Sequence, residues 1–264
     1  MQVSFSSKSY TPSFGIFFHN VENQNGKLHY RGDTRICRDD IYFPEVIDYL
    51  DNKYKNVPKV NVLMHACSDG EEVYSFLGVL ISRLRNKAIK FLPVTAKDID
   101  SEHLQLAKKG IYDITNSEYQ CANEAMNGDF DSYFEQIPLK KIKDPRIKYS
   151  HTFKVNPDLK TLVNFEQGDI LKDVNKVNFK NTVLFARNFW PYLGTQEIKQ
   201  LAHTLSQKMD NSSTLIIGDF DKEYGIDEVL RSEGFVETHA ENVFEKPRSE
   251  CYKDYNVGVK KLHR

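Results

Sequence analysis

Apolar and polar positions along this chain follow two periods. Short, nearly continuous apolar runs at Val60–Ala66 (VNVLMHA), Ile89–Thr95 (IKFLPVT), Leu162–Gln167 (LVNFEQ), Thr182–Ala186 (TVLFA) and Thr214–Gly218 (TLIIG) have the length and branched-residue content of buried strands. Between them lie stretches with helical spacing. One begins at about Glu71 and runs to Arg85; another is capped by Asp100 or Ser101, buries Leu104, Leu106 and Ala107, and stops at Gly110. Helices are also expected over Thr195–Met209 and around Asp227–Glu233, and late strands near Phe235–Val243 and Tyr255–Val259. Strand and helix alternate throughout. That pattern predicts an α/β fold of Rossmann-like type, with a mostly parallel central sheet, helices on both faces, and working residues on the loops after the strands.

The flanks break the alternation. Residues 1–33 are aromatic and polar with Asn, Gly and Ser interleaved, which predicts a loose arm with one hairpin around Asn25-Gly26. A helix with Phe43, Val46, Ile47 and Leu50 on its apolar face follows, capped by Asp39 or Asp40, and Pro58 closes the linker into the first strand. The chain therefore divides into an arm and helix over 1–57 and a main domain over 58–264. Residues 111–160 are the least regular part. Alternation from Lys148 to Val155 predicts a strand of a small antiparallel insert, placed at about 136–160. The basic run Lys140, Lys141, Lys143, Arg146 and Lys148 is either a solvated face or a dock for an acidic protein surface.

The 264 residues carry a net charge of −1, so nothing global points to nucleic acid. No apolar run approaches the roughly 20 residues of a membrane span, and the N-terminus lacks a signal-peptide core. Cys37, Cys67, Cys121 and Cys251 have no paired spacing, as expected of reduced thiols in a cytoplasmic protein without a zinc site. Oligomeric state leaves no trace in the sequence.

The chemistry concentrates between the first strand and first long helix. A strand, a turn with one glycine (Ser68-Asp69-Gly70) and a helix form the unit that holds nucleotide-like cofactors in open α/β sheets. A phosphate would sit at the helix N-terminus, yet Asp69, Glu71 and Glu72 place three carboxylates there. Such a loop repels a pyrophosphate and favours a cationic cofactor without phosphate, of which S-adenosylmethionine is the common example. Alternatively, Glu71 and Glu72 only complement the helix dipole. Asp98, just past the second strand, stands where a ribose is usually held; otherwise it caps the next helix, a task for which Asp100 is better placed.

Four blocks in order resemble the CheR-type chemotaxis receptor methyltransferases, which methylate receptor glutamates with S-adenosylmethionine. Thr34-Arg35-Ile36-Cys37-Arg38-Asp39 is similar to that family's T-x-F-F-R-D, and Ala66-Cys67-Ser68-Asp69-Gly70-Glu71-Glu72-Val73-Tyr74-Ser75 to its S-T-G-E-E-P-Y-S loop. Ala96-Lys97-Asp98-Ile99-Asp100 with Leu104, Ala107, Gly110 and Tyr112 resembles A-T-D-I-D-x-x-x-L-x-x-A-x-x-G-x-Y, and Phe185-Ala186-Arg187-Asn188 with Tyr192 resembles F-C-R-N-x-x-x-Y.

The resemblance implies a class I methyltransferase domain with Glu71 near the methionine moiety, Asp98 on the ribose, Asp169 and Ile170 flanking the adenine, and Ala66 also among the cofactor-binding residues. It further implies that Arg187, Asn188 and Tyr192 line the cofactor and acceptor pocket, with Thr34 and Arg38 closing over it. Arg38 and Tyr192 are the residues expected at the chemistry. The implied partner is an acceptor protein, on the family's pattern a chemoreceptor-like helix. The chain departs from the pattern at Asp69, Val73, Ile36 and Cys37, and no counterpart of the family's helical N-terminal domain is expected at similar length. A different acceptor on the same scaffold, or a sensor that binds the cofactor without chemistry, are the alternatives.

Overall fold

The computed structural model describes residues 21–22, 28–29, 35–37, 41–138 and 151–247. The chain divides into two units, residues 1–31 and 32–264. In the first, β1 (Val21–Glu22) and β2 (Leu28–His29) pair antiparallel, so the expected hairpin forms.

In the second unit, α1 (Phe43–Lys53) buries Phe43, Val46, Ile47 and Leu50 as its spacing predicts. It starts at the Tyr42 cap, whereas Asp39 and Asp40 lie outside the described residues. Next come β3 (Asn61–His65), α2 (Glu71–Leu84), β4 (Val94–Asp98) and α3 (Ser101–Lys109). The second strand is shorter than its apolar run: Arg85–Phe91 forms a 3-10 segment with Ile89 76% exposed. Pro93 has no N–H to give a ladder, so pairing begins only at Val94. As expected, the Asp100 side chain accepts the Glu102 N–H at 2.7 Å, and Gly110 ends α3 in the left-handed region at φ 57°.

The insert is larger and more regular than its sequence implies. It begins at β5 (Ile111–Ile114), continues through α4 (Asn116–Ala125), α5 (Phe130–Tyr133) and β6 (Phe134–Ile137), and ends in β7 (His151–Val155). These strands form an antiparallel sheet in the order β5-β7-β6. What the sequence disguised is that its core is aromatic: Tyr119, Phe130, Phe134 and Phe153 stack on one another at centroid distances of 4.4–5.7 Å. The basic run from Lys140 to Lys148 lies outside the described residues.

The chain then returns through α6 (Pro157–Lys160), β8 (Val163–Gln167), α7 (Ile170–Asp173), β9 (Thr182–Ala186), α8 (Thr195–Lys208), β10 (Thr214–Ile216), α9 (Asp219–Glu223) and α10 (Ile226–Ser232). The run near Phe235 splits into two strands, β11 (Val236–Glu237) and β12 (Val243–Glu245), because residues 238–242 turn the chain back. Tyr255–Val259 lies outside the described residues. The main sheet has the order β11-β12-β10-β9-β3-β4-β8, with β10, β9, β3, β4 and β8 parallel and the β11-β12 hairpin antiparallel at one edge.

The period of two sorts side chains between the faces. Val62, Met64, Val183 and Phe185 join one buried cluster with α1, α2 and the insert; Leu63, Leu184 and Ala186 join the other with α8 and α10. Burial on both faces explains why these strands read as continuous apolar runs. Among the described residues, no helix is long and apolar enough to cross a membrane.

Candidate active site

Parallel strands place their carboxyl ends on one edge, and register brings the expected residues there together. Met64 pairs with both Ala96 and Phe185, and Asp98 pairs with Gln167, so Ala66, Asp98, Gly168 and Arg187 lie just beyond or at the ends of four neighbouring strands.

The loop after β3 is tightly wound. Ala66 (φ 56°), Ser68 (φ 47°) and Gly70 (φ 85°) all occupy the left-handed region, and the Gly70 N–H closes back on the Cys67 carbonyl at 2.9 Å. A Cβ at Gly70 would lie 2.8 Å from the Ala107 Cβ and 3.2 Å from the Tyr112 hydroxyl, so glycine is needed for space as well as for φ. Gly70→Ala should therefore destabilise the fold by about 1–3 kcal/mol. A thermal melt tests this, and an unchanged Tm would show that the loop does not need its tight approach to α3.

Asp98 locks the loop to the next strand. It is 7% exposed; one carboxylate oxygen accepts the Ser68 N–H at 2.7 Å and the other the Asp100 N–H at 2.9 Å. Burial nevertheless pushes its carboxyl above the usual range, outweighing the two N–H bonds and the nearby His103. Two carboxylate oxygens offer about four acceptor positions, so two remain for ligand hydroxyls.

The acidic loop does not face the mouth as three equal charges. Asp69 turns toward α3: its carboxylate meets His103 Nδ1 at 2.5 Å, and its carbonyl accepts the Tyr112 hydroxyl at 2.7 Å. Glu72 pairs with Arg187 at 2.6 Å, and the Arg187 side chain is only 2% exposed. Glu71, half-buried in the first turn of α2, gives its carbonyl to the Ser75 hydroxyl at 2.7 Å. Carboxylates still outnumber cations at this edge, which fits a cationic, phosphate-free cofactor.

After β8, Asp169 caps α7 by accepting the Leu171 N–H at 3.0 Å and pairs with Lys172. Ile170 is buried in the same cluster as Leu63 and Val174, so its side chain serves the core. Lys97 holds the base of this loop by pairing with Asp173 at 3.1 Å and Glu166 at 3.5 Å. Beside them His65 is buried, and that burial pulls its imidazole down to about 4.

Past β9, Asn188 adopts φ 58° and begins a turn that ends in a 3-10 segment, Trp190–Tyr192. Trp190 is fully buried and donates from Nε1 to the Ala186 carbonyl at 2.7 Å, while half-buried Tyr192 lies 6.3 Å from the Phe220 ring. Thr34 and Arg38 lie outside the described residues. The most informative residue absent from the sequence reading is Asp221. Fully buried, it accepts the Asn188 N–H at 2.7 Å and the Gly218 N–H at 2.8 Å. Its only signal in the sequence is a carboxylate three residues after the glycine that ends a strand.

The sequence model of the family described as CheR methyltransferase, SAM binding domain, matches residues 32–234. Among solved structures, the chain is similar to magnesium protoporphyrin IX methyltransferase from Synechocystis PCC 6803 with bound SAM, at 14% identity and a TM-score of 0.37, covering 81% of this chain and 83% of that one. It is similar to a TehB-like SAM-dependent methyltransferase from Corynebacterium glutamicum at 11% identity and a TM-score of 0.38, covering 80% and 90%. It is also similar to PKMT2 from Rickettsia typhi at 10% identity and a TM-score of 0.37, where 71% of this chain spans only 26% of the other.

Proposed function

Because this chain belongs to the CheR methyltransferase family and carries its S-adenosylmethionine-binding domain, we propose that it transfers the cofactor's methyl group to a protein carboxylate, a glutamate side chain on a chemoreceptor-like helix. The bound cofactor supplies a methyl group made electrophilic by its sulfonium. Asp98 is the residue that would hold the ribose, the loop at Asp169 and Ile170 the adenine, and Ala66 and Glu71 the methionine end. Arg38 and Tyr192 are proposed to meet the acceptor, with Thr34 and Asn188 completing the pocket.

The observation that carries the choice of a carboxylate is the character of the turn after β9. Tyr192 is a hydrogen-bond donor suited to an anion, backed by the buried Arg187 guanidinium in its pair with Glu72, and Asp221 is committed to backbone N–H groups. A glutamate has an ordinary pKa near 4.3 and is already an anion at neutral pH, so no base is required. Neutralisation of cation by anion is favoured in a dry site, and the side chains need only align the two; alignment can supply up to about 7–11 kcal/mol.

A carboxyl methyl ester releases methanol in mild alkali, whereas N-methyl and ether products survive. Protein incubated with methyl-labelled S-adenosylmethionine and a bacterial extract should yield volatile, alkali-released label. Label retained in alkali-stable form would point to a different acceptor, and absence of transfer would point to a binding module without chemistry.

A further inference from the structure

Asp221 occupies the N3 position of α9, and its bond to the Gly218 N–H is the ordinary capping arrangement for that helix. Capping does not account for the rest of its environment. The same oxygen reaches back 33 residues to the Asn188 N–H at 2.7 Å, tying the loop after β10 to the turn after β9. The carboxylate also draws on the Trp190 backbone N–H, so it meets the turn after β9 at two residues. Asn188 sits at φ 58°, in the left-handed region that Asn adopts more readily than other non-glycine residues. Packing imposes it from a second side, because the Asn188 amide fills the space above Gly218, where a Cβ would come within 1.9 Å of Oδ1.

We propose that Asp221 is a positioning residue for methyl transfer: by holding the Asn188 N–H it fixes the left-handed turn that sets Arg187 and Tyr192 around the acceptor. This rests on the proposal above that the turn lines the acceptor site. The turn is then gripped at two points, by Glu72 through the Arg187 head group and by Asp221 through the Asn188 backbone.

The same burial sets how this carboxylate titrates. Burial raises the Asp221 carboxyl to about 7, although the Gly218 and Asn188 N–H groups and the charge of Arg187 pull it down. The folded value thus lies above the unfolded one. The stability linked to this group is fully present below about pH 4, the unfolded carboxylate range, and is lost as pH rises through about 7. The charged groups around it are Arg187 with its partner Glu72, and on its own helix Asp219, which accepts from Asn242 at 2.6 Å, and Lys222, which pairs with Glu237 at 2.7 Å.

The chain has a built-in reporter, since Trp190 is its only tryptophan and sits two residues past Asn188. Trp190 fluorescence of the wild type should show a pH transition near 7 that is absent in Asp221→Asn. In the methyl-labelled extract assay, Asp221→Ala should transfer label about 30-fold or more slowly, with S-adenosylmethionine affinity within about threefold of wild type, because small misplacements at a reacting centre have large rate effects. Asp221→Asn keeps the shape and an oxygen that can accept both N–H groups, so it should restore the rate to within about fivefold. Wild-type transfer by Asp221→Ala, or a loss matched by lost cofactor binding or unfolding, would overturn the proposal. If Asp221→Ala does not fold, or the wild type transfers no label and the acceptor assignment itself fails, the Trp190 titration decides: a transition lost in Asp221→Asn supports the clamp, and one that persists overturns it.

Discussion

Asp98→Ala is expected to weaken S-adenosylmethionine binding at least about tenfold, measured by calorimetry. Hydrogen bonds to a charged group contribute about 1.5–3 kcal/mol each, and 1.4 kcal/mol is a factor of ten in affinity. Two effects combine at this position. Loss of the carboxylate would remove the acceptor proposed for the ribose hydroxyls, and it also frees the Ser68 N–H that holds the wound loop against β4. The sign of its titration argues that the charge is kept for ligand rather than for fold. Burial holds the folded carboxyl above its usual range, so the stability linked to it is present in acid below the unfolded value and lost as pH rises through the folded one. Asp98→Asn keeps only one acceptor and turns its NH2 toward the other backbone N–H, so it should bind the cofactor weakly as well. Unchanged affinity in Asp98→Ala, or tight binding of a nicotinamide dinucleotide by the wild type, would remove Asp98 from the ribose.

Glu72→Ala should be the most destabilising single change at the site. It removes the Glu72 carboxylate, 2.6 Å away, from the Arg187 guanidinium, whose side chain is 2% exposed. Removing one member of a buried ion pair typically costs about 3–5 kcal/mol, because the remaining charge stays desolvated. For a unit of this size, each kcal/mol shifts Tm by about 2–4 °C, so a drop of roughly 6–20 °C is expected. The reverse change, Arg187→Met, should be milder, since Glu72 is 22% exposed and can reach water. The double variant Glu72→Leu with Arg187→Met should recover much of the stability but not methyl transfer, because apolar replacement of a buried pair is often neutral or better. Thermal melts of the three variants test this directly. Equal Tm for Glu72→Ala and wild type would mean that Arg187 finds another partner and that the pair does not hold the turn.

The elements were legible where a local rule suffices. Strands buried on both faces have to be apolar along their whole length, so β3, β9 and β10 stood out as runs, while β8, at the sheet edge, buries only Val163. Caps are short-range chemistry, and Asp100 and Gly110 act where their types predict. The positions of Ala66, Glu71, Asp98, Asp169, Arg187 and Asn188 along one sheet edge follow from strand, loop and helix in order, since parallel strands put such loops on the same side.

What the amino-acid order could not reveal was pairing across distance. That Asp69 spends its charge on His103, that Glu72 serves Arg187 115 residues away, and that Asp221 reaches the Asn188 backbone depend on the register that brings β9 beside β3 and β10 beside β9. The insert escaped for a related reason: its aromatic core comes from a helix and strands separated by tens of residues, none of which carries a clear period alone. The sequence by itself determined the class of sheet, the acidic cofactor loop and the family pattern, because each is written within some twenty residues. Only the tertiary structure decided which carboxylates face a ligand and which hold the frame, because desolvation and partner choice are set by contacts that no local stretch contains.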